Sequence, residues 1–187
     1  MHFEKGKVNH LIDSNGVGKS CLDKSTIGII RYSGKIETDS SITVVGSYSG
    51  IPRDLSIRNI FEILYKVFSK ETVDEISTLL SIYNINKSMP LGKMSDGQKQ
   101  RVKLLCFLVS KPKIIILDEF TSTLDKSTCI DVYKFLSEYI KNNDTTIVNI
   151  THNLADVEKI SGNYYYIENC NITKVSDKKK LFKMYVN

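Results

Sequence analysis

No stretch of this chain approaches the roughly 20 consecutive apolar residues that cross a bilayer, and no apolar signal region is read at its start. A soluble protein of a reducing compartment is therefore expected. The four cysteines, Cys21, Cys106, Cys129 and Cys170, include no C-x-x-C pair, which removes the sequence basis for a zinc or thiol-redox site. Cys21 and Cys106 fall on helical apolar patterns and read as small core residues. Repeats and low-complexity linkers are missing as well, so solenoid and disordered architectures are set aside. What remains is 187 residues, 41% hydrophobic and 25% charged, enough for one domain with a real core and too little for two. The net charge of +5 and the run Lys178-Lys179-Lys180 invite a nucleic-acid or lipid-surface reading. Against it, the lysines alternate with Asp and Glu over most of the chain, and no aromatic platform is interleaved with a basic stripe. A solvated lysine-rich surface is expected, with no nucleic-acid partner.

The octamer Asp13-Ser14-Asn15-Gly16-Val17-Gly18-Lys19-Ser20 carries the chemistry. Val8, Leu11 and Ile12 before it read as a short buried strand. The glycine-rich turn then lets successive backbone N–H groups point at phosphate oxygens, and a helix starting near Gly18 adds its positive dipole end. Lys19 would reach the β- and γ-phosphates, and the Ser20 hydroxyl would hold Mg²⁺. The pattern G-x-x-x-x-G-K-[ST] asks for glycine where this chain has Asp13. That carboxylate either faces the phosphates, at a repulsion of about 2 kcal/mol for a separation of ~8 Å, or turns away to accept N–H bonds from Asn15 or Gly16.

A second apolar run, Lys113-Ile114-Ile115-Ile116-Leu117, ends in Asp118 and Glu119. A strand buried on both faces delivers acids in this way to its carboxyl edge, where ligands bind in open α/β sheets. Asp118 would bind Mg²⁺, directly or through water, and Glu119 would polarise an attacking water.

Further along, Met94-Ser95-Asp96-Gly97-Gln98 resembles the LSGGQ signature of ATP-binding cassette (ABC) ATPases in its L-S-x-G-Q form. Ser122-Thr123-Leu124-Asp125 resembles the D-loop, and Ile150-Thr151-His152-Asn153 the switch-histidine segment. Phosphate loop, signature, paired acids, D-loop and histidine occur in the family's order, and the resemblance spans roughly Phe3 to Val175. It implies a P-loop NTPase fold of the α/β class, a mainly parallel sheet flanked by helices with an inserted helical subdomain carrying the signature. The chain would then be one domain over 1–187, with an α/β core at 1–50 and 111–187 and the helical subdomain at about 51–110.

The resemblance also implies that two such domains, identical or different, pair head to tail with ATP between the phosphate loop of one and the signature of the other. Ser14 through Cys21 would cradle the nucleotide, Ser95, Gly97 and Gln98 would present donors to the γ-phosphate across the interface, and Asp125 would bridge the protomers. Taken alone, Ser95 and Gln98 also have the spacing of a capping box at a helix start. Lys19, Glu119 and His152 would form the catalytic set, with ATP and Mg²⁺ as cofactors. The implied assembly is the nucleotide-binding subunit of a transporter, cytoplasmic and peripheral at the inner face of the membrane through a separate transmembrane permease subunit. The alternatives are a degenerate module that binds nucleotide for regulation or scaffolding, and a non-transport ABC ATPase.

The chain departs from the family in two further places. Glutamine occurs only at positions 98 and 100, so the family's Q-loop glutamine is missing and its position falls near Ser47. The adenine-stacking aromatic of the family lies upstream of Phe3, which is too close to the phosphate loop to replace it. Elsewhere, Lys35 to Ile36 and Ile42 to Val45 read as strands, Ile51 to Val109 as helical, and Ile114 to Leu117 as a strand. A helix from about Lys126 to Lys141 follows, then a strand at Thr146 to Ile150. A hairpin of Tyr164 to Ile167 and Ile172 to Val175, then a short basic helix, complete the reading.

Overall fold

In the computed structural model, residues 2–13, 19–46, 49–168 and 171–186 are described, with only the backbone at 13, 19, 20 and 186. They divide into two compact units. The first comprises 1–47, 112–122 and 137–187, and the second 48–111 and 123–136.

The first unit is built on six strands, β1 (Val8–Asp13), β2 (Ile42–Val45), β3 (Ile114–Asp118), β4 (Thr146–Ile150), β5 (Asn163–Glu168) and β6 (Asn171–Val175). Their order in the sheet is β2-β3-β4-β1-β5-β6, parallel except for the antiparallel β5–β6 pair. Every residue of β4 is buried, as strands covered on both faces require. Leu11, Ile12, Ile115 and Ile150 are fully enclosed. The helices of this unit are α1 (Lys19–Thr26), α6 (Leu154–Lys159) and α7 (Lys178–Val186). Ile12, Val157, Tyr166, Val175 and Leu181 form one apolar cluster between the sheet and the last two of them. Gly162 lets β5 start close beside β1, since a Cβ there would collide with the Val8 carbonyl oxygen. Phe3 packs edge-on against Tyr165, ring centres 5.2 Å apart.

The second unit holds α2 (Ile57–Val67), α3 (Lys70–Leu79), two single-turn 3-10 helices and α4 (Asp96–Leu108). Ile57, Ile60 and Leu64 of α2, Val73 and Ile76 of α3, and Val102 and Leu105 of α4 supply its buried side chains at helical spacing. Helix α5 (Lys126–Asn143) begins in the second unit and ends in the first.

Two sequence expectations are corrected. Lys35–Ile36 forms no strand: both residues are exposed and Lys35 pairs locally with Glu37, so no partner strand covers Ile36. Cys21 is not a core residue. It lies on the exposed side of α1, whereas among the described cysteines Cys129 is buried and Cys106 half-buried, its thiol pushed up to about 12 by burial.

Polar residues interrupt β1 as well. Asn9 and His10 are fully buried. His10 Nε2 donates to the Ile160 carbonyl at 2.9 Å, its Nδ1 accepts from Asn149 Nδ2 at 3.2 Å, and its ring stacks on Tyr164. Only the neutral tautomer satisfies both partners. Burial lowers the His10 pKa from 6.5 to about 4. The unfolded chain takes a proton near pH 6.5 and the folded one does not until about pH 4, so stability falls as pH falls through that window. The loss from this group is of order 3 kcal/mol and ends below the folded value. Urea unfolding at pH 7 and pH 5 should show His10→Gln with a shallower pH slope than wild type; equal slopes would remove His10 as the cause.

Candidate functional site

Because β1, β3 and β4 run parallel, their carboxyl ends emerge on one edge of the sheet. Asp118 stands beside Ile150 in the β3–β4 ladder and Leu11 beside Ile150 in the β1–β4 ladder. Beyond Asp13, residues Ser14, Asn15, Gly16, Val17 and Gly18 lie outside the described residues, and α1 resumes at Lys19. The side chains of Asp13, Lys19 and Ser20 and all of Ser47 are likewise outside them. Asp118, the last residue of β3, is 5% exposed. Its carboxylate is a hard oxygen donor of the kind Mg²⁺ takes one or two at a time, the rest of its shell coming from phosphate and water. Among the described residues no group of three or more His, Cys, Asp or Glu could hold a metal.

Glu119 follows with a positive φ of 47°, a left-handed backbone that costs a non-glycine residue about 1–2 kcal/mol. Its N–H donates to the Ile150 carbonyl at 2.9 Å, and its own carbonyl accepts from the Ser122 hydroxyl at 2.8 Å. The chain thus turns sharply at the strand end. His152 Nδ1 lies 3.2 Å from Glu119 Oε1, with side chains 41% and 42% exposed. A carboxylate accepts only, so Nδ1–H is the donor.

Around this pair the two loops are pinned from below. Thr121 Oγ1 donates to Asp156 Oδ1 at 2.8 Å and Oδ2 at 2.9 Å, and Thr151 Oγ1 donates to Asp156 Oδ2 at 2.7 Å. Asn153 N–H donates to Thr151 Oγ1 at 2.9 Å, and Tyr185 Oη donates to the His152 carbonyl at 3.1 Å. Asp156 and Thr151 are each 1% exposed and Thr121 is 6% exposed.

In the second unit, Ser95 caps α4. Its hydroxyl accepts from Gln98 N–H at 3.2 Å while Gln98 Oε1 accepts from Ser95 N–H at 3.1 Å, the capping box read from the spacing. A Cβ at Gly97 would stand 2.8 Å from Thr128 Oγ1 and 2.9 Å from its Cγ2, so glycine is required for this approach. Thr128 in turn donates from Oγ1 to Asp125 Oδ2 at 2.7 Å, and the other carboxylate oxygen accepts from Ser127 Oγ at 2.6 Å and Thr128 N–H at 3.0 Å. These bonds, Ser127's side chain first, hold the Asp125 carboxyl well below the usual range. Thr128 thereby joins the Gly97 backbone to the Asp125 carboxylate.

The family model described as ABC transporter matches residues 1–122. The chain belongs to the ABC transporter family. It is 40% identical over 190 residues to the "Probable peptide export ATP-binding protein YydI" of Bacillus subtilis, covering 100% of this chain and 90% of that one. The zinc import ATP-binding protein ZnuC of Rickettsia conorii is 30% identical over 163 residues, covering 84% of this chain and 70% of its own. Among solved structures, cbiO1 of Clostridium perfringens, part of the ABC transporter complex cbiONQ, superposes with a TM-score of 0.78 at 27% identity, covering 98% of this chain and 82% of that one.

As an ABC transporter ATP-binding protein the chain binds and hydrolyses ATP. Of the ABC motif residues named from sequence, Asp118, Glu119 and His152 come together at the sheet edge, and Ser95, Gly97, Gln98 and Asp125 gather in the second unit. The sequence reading missed Asp156, Thr121, Thr151 and Thr128. Its available signal was position: Thr121 and Thr151 stand within two residues of the acid and histidine already singled out.

Proposed function

We propose that this chain is the nucleotide-binding subunit of a membrane transporter, working as a head-to-tail dimer with an identical or related domain and driving a separate permease from the inner face of the membrane. The observation that carries the reading is the Glu119–His152 contact of 3.2 Å at the edge where β1, β3 and β4 end. Ser14 to Ser20 cradle the triphosphate, with Lys19 on the β- and γ-phosphates. Ser20 and Asp118 hold Mg²⁺, which when bound neutralises charge developing on the phosphate oxygens. Glu119 accepts the proton of the attacking water. His152 Nδ1–H donates to Glu119 Oε1, so Nε2 is the ring nitrogen left to face a γ-phosphate oxygen. The second unit serves as the helical subdomain, offering Ser95 and Gly97 to the γ-phosphate of the partner's nucleotide, while Asp125 bridges the protomers. Similarity to the B. subtilis relative over its length supports a peptide as cargo, leaving the cell. The missing Q-loop glutamine favours slow turnover.

The shared site makes a testable demand on Gly97. Forcing a methyl against Thr128, whose hydroxyl is already committed to Asp125, costs about 1–3 kcal/mol of local repacking and displaces the signature backbone. In gel filtration with ATP and Mg²⁺ the wild type should shift toward a dimer, while Gly97→Ala should remain a monomer that still binds ATP. A Gly97→Ala protein that dimerises like wild type would remove the signature from the interface.

A further inference from the structure

Among the described residues, the two loops bearing Glu119 and His152 are tied down by the Glu119 N–H on the Ile150 carbonyl, the Thr151 N–H on the Leu11 carbonyl, the Tyr185 hydroxyl on the His152 carbonyl and the carboxylate of Asp156. Asp156 touches both loops through side chains. Its two oxygens take Thr121, two residues beyond Glu119, and Thr151, the residue before His152, at 2.7–2.9 Å. Asn153 Nδ2 also reaches Oδ1 at 3.4 Å. Asp156 sits in the first turn of α6 with 1% exposure, where an unbonded carboxylate would be strongly disfavoured. Bulk water therefore does not compete for these threonines, and neither loop shifts without breaking a buried hydrogen bond.

We propose that Asp156 is a positioning residue for ATP hydrolysis, clamping Thr121 and Thr151 so that the Glu119 carboxylate and the His152 ring are held within hydrogen-bond reach of each other. The proposal rests on the reading of Glu119 and His152 given above. The clamp touches no substrate atom. Its effect belongs to the geometry of the pair, where a displacement near 1 Å costs up to about 100-fold in rate. Ground-state nucleotide binding, carried by the phosphate loop, is left largely alone.

The experiment measures kcat, KM for ATP and single-turnover hydrolysis with enzyme in excess for wild type, Asp156→Asn, Thr121→Val and Thr121→Ser, each also combined with His152→Ala, with Glu119→Gln as reference and thermal unfolding recorded throughout. Asp156→Asn and Thr121→Val should lower kcat by about 10- to 100-fold with KM changed less than about 3-fold, and Thr121→Ser, which keeps the hydroxyl, should recover most of it. Once His152 is Ala, Asp156→Asn should cost almost nothing further, because the pair it positions is gone. Losses that multiply in the double variant, that follow the fall in unfolding temperature, or that appear in KM would overturn the clamp. Should Asp156→Asn fail to fold, Thr121→Val and Thr121→Ser decide the matter by the same criteria. If Glu119→Gln abolishes turnover while the Asp156 and Thr121 variants hydrolyse like wild type, the clamp alone fails. If Glu119→Gln itself hydrolyses normally, the functional reading fails first and takes the clamp with it.

Discussion

Glu119→Gln is expected to lower ATP turnover by about 10²- to 10⁴-fold, the usual worth of a positioned general base, and to leave ATP binding intact. The amide has nearly the carboxylate's size, so the left-handed turn at φ 47° and the backbone bond to Ile150 are undisturbed. What disappears is the ability to take a proton from water. His152 Nδ1–H can still donate to the amide oxygen, so the histidine stays oriented and the effect falls on kcat. Because the nucleotide is then bound and not consumed, the ATP-loaded dimer should accumulate, seen as a stable early-eluting species with ATP and Mg²⁺. Phosphate release at the wild-type rate from Glu119→Gln would end its assignment as the base.

Lys19→Ala should remove nucleotide binding and hydrolysis together. An ammonium on the β- and γ-phosphates acts in the ground state and in the transition state alike, so its loss appears in affinity first. Calorimetry should show ATP affinity falling at least about tenfold, equivalent to ~1.4 kcal/mol, with turnover falling with it. Ser47→Gln, restoring a glutamine where the family's Q-loop residue belongs, should raise kcat with little change in affinity. Turnover that survives Lys19→Ala would place the active site elsewhere.

Apolar patterns made the strands readable even where burial is partial, as at Ile42–Val45 and Ile172–Val175. Thr146 to Ile150 was legible to the residue because five enclosed positions leave no ambiguity of face. β1 was recognisable from Val8, Leu11 and Ile12 although Asn9 and His10 break the apolar pattern. The polar pair is paid for by partners at Asn163, Ile160 and Asn149 that no local window contains. Lys35–Ile36 failed for the converse reason, a β-like dipeptide with no neighbouring strand. At the site, Glu119 and His152 announced themselves by standing directly after apolar runs. Asp156 did not, because its importance lies in contacts 35 residues away to Thr121 and exists only once β3 and β4 are side by side. Cys21 misled because a helical apolar pattern does not say which face of α1 is covered.

The strand order carries a consequence for biosynthesis. β1 leaves the ribosome first, yet its neighbours in the sheet are β4 and β5; His10 and Asn149, joined across that ladder, are 139 residues apart. At a translation rate of about 5–20 residues per second, the nascent first strand waits on the order of 10 s with both edges open. During that interval the helices of 48–111 can close on their own nearby contacts, since short loops cost little entropy. The nucleotide loop therefore gains its supporting sheet only when β4 and β5 have been made. A ribosome stalled before Thr146 would hold an aggregation-prone strand and no ATP site, and chaperone protection matters most in that window.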